Sequence, residues 1–451
     1  MVTPGILIAA TGSGTGKTTI ATGLMAALSK TRKVAPFKVG PDYIDPSYHS
    51  LATGMPGRNL DAVMCPGLIG PLYAHGSAGK DIAVVEGVMG LFDGRITDSH
   101  QALPAGSSAA IAAELGLPVI LVVDVRGMSQ SVGALVKGFA TESTDVHVAG
   151  VILNQVGSDR HAAVCREAVE AAGIAVVGAI PRVEKVEVPS RHLGLITAKE
   201  HGEKARQAVE RMAELVEKHC DMAAIVGLAA ANYAGEEWVP GRVVEKQKAV
   251  TVAMAAGPAF TFAYAEHREL LEAAGARVVD FDPLTEALPE CDGLIIPGGF
   301  PEEHVEALAA REDLKQQVRA HVAAGKPVHG ECAGLLWLVE SLDAHPMLGV
   351  IGTHAAMGRR LTLGYRESVA LTDSVLYRAG ERITGHEFHH TALTDSDAQG
   401  FDKAWGWRAW DGAPKQEGFI RGNVHASYLH VHPASCPQAV QRFVAACGGL
   451  N

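Results

Sequence analysis

"GILIAATGSGTGKTTIATGLMAALSK", residues 5–30, decides the fold class of the first half of the chain. An unbroken apolar run meets a glycine-rich turn, and the turn opens into a stretch with the apolar spacing of a helix. Strand, Gly-rich turn and helix form the setting that a phosphate-binding loop requires. Gly12, Ser13, Gly14, Thr15 and Gly16 let backbone N–H groups curl round phosphate oxygens, and the helix start adds a partial positive charge. Lys17 is placed to reach the terminal phosphates, and Thr18, followed by Thr19, to ligate Mg²⁺. The strict motif has glycine where Thr11 stands. ATP and Mg²⁺ are the expected cofactors.

Outward from this loop the alternation continues. Strand-like runs recur at residues 34–40, 81–90, 118–124, 149–156 and 176–181, with helix-like stretches between them. Near-continuous apolar strands alternating with helices predict a parallel sheet covered on both faces. Residues 232–248 mix Gly, Pro and charge without a period and read as a linker. A second alternation starts at 249, and from about 361 the pattern becomes that of antiparallel strands joined by turns. The expected organisation is α/β throughout: a P-loop domain over 1–231, a linker over 232–248 and a second domain over 249–451.

The totals bound the function. At 451 residues two domains are the prior. A net charge of −11 with no Lys/Arg run argues against nucleic acid or a polybasic membrane patch as partner. No segment has the roughly 18 uninterrupted apolar residues of a membrane span, and the start lacks a basic leader, so the reading is a cytoplasmic protein. Seven scattered cysteines without a C-x-x-C fit a reducing compartment.

Acids stand at strand ends, where open α/β sheets bind ligands. "FKVGPDYIDP" offers Lys38, Asp42 and Asp45, and "VVEGVMGLFDG" offers Glu86 and Asp93. Glu86 and Asp42 join Thr18 as expected Mg²⁺ ligands. Lys38, Tyr43, Asp45, Tyr48, His49, Arg58, Asn59, Asp93 and Arg191 are candidates for an acceptor pocket.

In the second half, "VHGECAGLLWL" (328–338) has the G-x-C-x-G form of a nucleophile elbow. Gly330 and Gly334 permit a sharp strand-to-helix turn that presents Cys332 at a helix N-terminus, where the dipole favours the thiolate. "NVHASYLHVHP" supplies a base, either His430 or His432. Gly299, in the Gly298–Gly299 turn, and Ala333 offer backbone N–H groups for an oxyanion hole. "HEFHH" (386–390) satisfies H-E-x-x-H, but its surroundings have β character, and on a strand its outer histidines stand about 13 Å apart, too far for one metal.

Thr11–Thr19, "EGVMG" and "GVILNQV" make the first half resemble the dethiobiotin synthetase group of P-loop proteins. That resemblance implies that Asn154 touches the adenine. The GG turn, G-E-C-A-G elbow and late histidine resemble class I glutamine amidotransferase domains. It implies Cys332 as nucleophile, His430 as base and L-glutamine as nitrogen donor. The usual Glu two residues after the base is His432 here, which leaves the third member of the site open. "KVGPDYIDPSYH", "EGVMGLFDG", "IPRVEKVEVPSRHLGL", "PGGFPE", "LTLGYRE", "GHEFHH" and "ASYLHVH" together resemble the cobyrinate (hydrogenobyrinate) a,c-diamide synthase family over nearly the whole chain. The resemblance implies a ligase of cobalamin biosynthesis. ATP phosphorylates acetate carboxylates of a tetrapyrrole polycarboxylate, and ammonia from glutamine displaces the phosphate at side chains c and a. Sirohydrochlorin, its nickel form and sirohaem remain alternative acceptors, and a homodimer stays open.

Overall fold

The computed structural model describes residues 2–96, 101–182, 190–191, 194–195 and 202–449, the side chains of 190–191 and 194–195 excepted. The chain forms two compact units, Met1–Trp238 and Val239–Asn451.

Among the described residues the main sheet of the first unit has seven strands: β1 (Gly5–Ala10), β2 (Val34–Val39), β3 (Arg58–Leu60), β4 (Ile82–Glu86), β5 (Val119–Asp124), β6 (Val148–Val156) and β7 (Val176–Pro181). They lie in the order β3-β2-β4-β1-β5-β6-β7, and every pairing is parallel. β1 is buried from end to end, which is why it reads as an unbroken apolar run. Ile6, Ile8, Ile20, Leu24, Val84, Ile120 and Ile152 meet in one core between the sheet and the helix Lys17–Ser29. Short strands β8 (Ser190–Arg191) and β9 (Gly194–Leu195) pair with each other. Most of "IPRVEKVEVPSRHLGL" and the side chain of Arg191 lie outside the described residues. Within 232–248 the chain is irregular, with Trp238 buried and a single helical turn at Pro240–Val243.

The second unit adds β10 (Val250–Ala255), β11 (Ala276–Phe281), β12 (Gly293–Ile296), β13 (Val328–Glu331), β14 (Val339–Leu342), β15 (His345–Pro346), β16 (Ile351–Ala370), β17 (Arg382–Leu393), β18 (Trp405–Arg408), β19 (Pro414–Glu417), β20 (Phe419–Arg421) and β21 (Val424–Ser427). One sheet runs β11-β10-β12-β13-β21-β20, parallel except for β20. The other, β15-β14-β16-β18-β19 with β17 on β16, is built round the long β16–β17 hairpin. "HEFHH" lies within β17 and is extended. Among the described residues, no helix is long and apolar enough to cross a membrane.

Candidate functional sites

The helix Lys17–Ser29 starts at the loop, and its first lysine is buried. Lys17 Nζ donates to the carbonyl of Met89 at 2.9 Å, drawing the "EGVMG" loop onto the phosphate-binding turn. Asp93 Oδ2 accepts from Gly90 N at 2.8 Å and closes the turn of that loop. Burial, and then the neighbouring Lys38 charge, lower the Lys17 pKa.

Beside the loop stands a buried charge cluster. Thr18 Oγ1 donates to Glu86 Oε1 at 2.6 Å and lies 3.3 Å from Asp45 Oδ2. Lys38 Nζ donates to Asp45 Oδ2 at 2.6 Å and to Glu86 Oε1 at 2.9 Å, with Asp42 Oδ2 at 3.9 Å. His49 Nε2 lies 2.8 Å from the other Glu86 oxygen. Burial alone would raise the Glu86 carboxyl, but Lys38 and the His49 bond hold it far below the usual carboxylate range. Burial and the like charges of Asp42 and Glu86 push Asp45 up to about 8. Burial also opposes the charge on Lys38, yet the three carboxylates raise its pKa.

This geometry redistributes the residues named from sequence. Lys38, Asp45 and His49, candidates for an acceptor pocket, are buried in the acid cluster behind Thr18; burial and ion pairing, which sequence does not display, put them there. Tyr43, Tyr48 and Asn59 are buried as well. Asn59 Nδ2 donates to Gly40 O and Asp42 O, both at 2.7 Å, and so shapes the loop that carries Asp42. Asn154 Nδ2 donates to Thr15 O at 2.8 Å, and its oxygen accepts from Gln155 N at 2.9 Å. That amide braces the phosphate-binding loop from the end of β6.

In the second unit β13 turns into the buried helix Ala333–Leu338 at Cys332, whose φ of 49° and ψ of −95° lie in a strained region for a non-glycine residue. Close packing explains the flanking glycine: a Cβ on Gly334 would fall 2.1 Å from Ile296 O. Cys332 N donates to Ser427 O at 2.7 Å, which ties the elbow to β21. Its sulfur is buried, 3.9 Å from Phe388 O of β17. The helix has only six residues, so its dipole is short, and an imidazole interacts with the sulfur as well.

That imidazole is His430. Burial lowers its pKa, but the charges of Cys332 and Glu331, with hydrogen bonds to both, raise it to about 10. Its Nδ1 lies 2.8 Å from Glu331 Oε1. A Cβ at Gly298 would fall 2.5 Å from His430 Cε1, so the glycine turn named as an oxyanion-hole element packs against the candidate base. Ala333 opens the helix, where its amide has no intrahelical acceptor. His432, the other candidate base, packs at a tilt against Tyr264 at 4.3 Å between centroids and stands 3.9 Å from Glu266. Glu331 was not singled out from sequence. Its one signal is its place directly before Cys332, and its meaning depends on the pairing of β13 with β21.

A P-loop unit joined to a unit with a cysteine on a strand-to-helix elbow and a buried histidine paired with it is the make-up of a ligase that takes nitrogen from glutamine. Residues 6–196 match the CobQ/CobB/MinD/ParA nucleotide binding domain, and residues 251–437 match the CobB/CobQ-like glutamine amidotransferase domain. The chain is 55% identical to a hydrogenobyrinate a,c-diamide synthase of Mycobacterium bovis, covering 98% of this chain and 97% of the relative. It is 50% identical to a Streptomyces coelicolor protein of the same name, covering 98% and 97%, and 40% identical to a cobyrinate a,c-diamide synthase of Gloeobacter violaceus, covering 98% and 96%. The chain belongs to the hydrogenobyrinate/cobyrinate a,c-diamide synthase family.

Proposed function

We propose that this chain amidates the a and c acetate carboxylates of hydrogenobyrinate or cobyrinate, using ATP and glutamine, in the cytoplasm. The observation that carries the reading is 55% identity along 98% of the chain to a relative of that name. Both candidate centres that the chemistry requires are present on the one chain.

A carboxylate resists ammonia because its leaving group would be oxide. In the first unit, the loop 12–19 cradles the triphosphate and Lys17 steadies its terminal phosphates. The acceptor carboxylate attacks the γ-phosphorus, ADP departs, and a carboxyl phosphate forms. Ammonia then adds to the carbonyl carbon, a proton is lost, and phosphate leaves as the amide forms.

Mg²⁺ fits the donor set. Among the described residues no group of three or more His, Cys, Asp or Glu side chains could hold a metal by itself. A cation that draws most of its shell from phosphate and water needs only one or two carboxylates. The Thr18 hydroxyl, with Glu86, Asp45 and Asp42 beside it, supplies hard oxygens of that kind. When bound, Mg²⁺ neutralises charge on the β- and γ-phosphates.

In the second unit, the Cys332 thiolate attacks the glutamine amide carbon and His430 passes its proton to the departing nitrogen. A thioester and ammonia result, and water then releases glutamate with His430 as base. The amides of Gly299 and Ala333 are the proposed oxyanion donors.

The test is mass spectrometry of products from hydrogenobyrinate, cobyrinate and sirohydrochlorin. Two amidations of a corrin acceptor are expected. Cys332→Ser should lose glutamine use and keep amidation from ammonia; Lys17→Ala should lose both. Product from Lys17→Ala, or a diamide only from sirohydrochlorin, overturns the reading.

A further inference from the structure

We propose that Glu331 is the positioning residue of the amidotransferase centre, filling the place that sequence leaves open two residues beyond the base. The inference rests on the glutamine-hydrolysing reading above and assigns one more residue to it.

The chain places Glu331 through strand pairing. β13 and β21 run parallel, with Glu331 opposite Ser427, so the carboxylate lies alongside the segment that continues from Ser427 to His430. The backbone then turns at Cys332, which carries the sulfur away from the strand while Glu331 stays in it. One carboxylate oxygen meets His430 Nδ1 at 2.8 Å, and the other accepts from Val431 N at 3.4 Å. His432, which occupies the usual position of a glutamate, is held instead against Tyr264 and Glu266.

The surroundings favour an anion at Glu331 and a cation at His430 alone. The carboxylate borders a cavity of about 40 Å³, room for a water molecule or two. His329 from β13, His267 from the helix Ala265–Ala273, Tyr377 from the segment after β16 and His425 from β21 also line it. Burial keeps His267, His329 and His425 neutral, the last two with pKa values near 3. Burial opposes the charge on Glu331, but His430 holds its pKa below the usual value. Nδ1–H donation to Glu331 therefore leaves Nε2–H for the sulfur, and later for the nitrogen that departs. Glu331 exchanges no atom with the substrate; it fixes the ring and retains its proton.

The experiment compares Glu331→Gln and Glu331→Asp with wild type and Cys332→Ser. Readouts are glutamine-dependent kcat and KM across pH, ammonia-dependent amidation, and iodoacetamide alkylation of Cys332 followed by mass spectrometry. For Glu331→Gln the expected result is a kcat loss of about 10²-fold with KM nearly unchanged. The alkaline limb of the profile should move to lower pH as the imidazolium loses its partner, and the alkylation profile should shift with it. Amidation from ammonia should hold at the wild-type rate, showing an intact fold, and Glu331→Asp should keep the alkaline limb. Wild-type kcat and pH profiles in Glu331→Gln overturn the proposal, as does an equal loss in ammonia-dependent amidation. Glutamine use surviving in Cys332→Ser would instead overturn the reading on which it rests.

Discussion

Gly334→Ala tests the elbow with a single methyl group. The new Cβ would lie 2.1 Å from Ile296 O and 2.9 Å from Ile296 C, both backbone atoms at the end of β12. Real Cβ contacts essentially never fall below 3.0 Å, so the elbow and β12 must part by about 1 Å. β12 leads into the Gly298–Gly299 turn, so the movement separates a proposed oxyanion donor from the nucleophile. A misplacement of about 1 Å costs roughly 10²-fold in rate, or about 2.7 kcal/mol of transition-state stabilisation. Overpacking itself destabilises by about 1–3 kcal/mol, enough to lower the melting midpoint of a unit this size by roughly 2–12 °C without unfolding it at 25 °C. The assay is glutamate release from glutamine, with ammonia-dependent amidation measured in parallel. Glutamine turnover should fall about 10²-fold while ammonia use stays within about 2-fold. Wild-type glutamine turnover would show that the elbow yields at no cost and would refute the steric argument.

Lys38→Met should destabilise the first unit by about 3–5 kcal/mol, because it leaves buried carboxylates without their cation; denaturant unfolding that shows under 1 kcal/mol would contradict this. His430 contributes a pH-dependent stability. Its folded pKa of about 10 exceeds the model-peptide value of 6.5, so the contribution is full below pH 6.5 and disappears as pH rises through about 10. Melting curves of wild type and His430→Gln should therefore converge between pH 7 and pH 10, and a gap that widens with pH would refute the assigned ion pair.

The parts of the molecule legible in sequence are those whose meaning is local. The loop Gly12–Thr19 and the elbow round Cys332 declare themselves because glycine spacing and flanking apolar runs encode backbone shape directly. β1, β2 and β5–β7 were legible for the same reason, being buried and apolar throughout or nearly so. β3, three residues long, carries too little pattern to detect. Partnerships across the chain were not legible. Glu331 and His430 are 99 residues apart in sequence, and His49 and Glu86 are 37 apart. Only strand order and register bring those groups together. The acid cluster shows the same limit: Lys38, Asp45 and His49 look like surface polar residues until the fold buries them against Glu86.

The backbone of His430 exchanges two hydrogen bonds with His386, N–H to carbonyl at 2.9 Å one way and 2.8 Å the other. The proposed base is thus stapled at the seam where the hairpin strand β17 meets the parallel sheet. Its amide cannot trade its hydrogen for deuterium unless that seam opens. Uptake at this one amide gauges how often that seam opens, readable without any substrate.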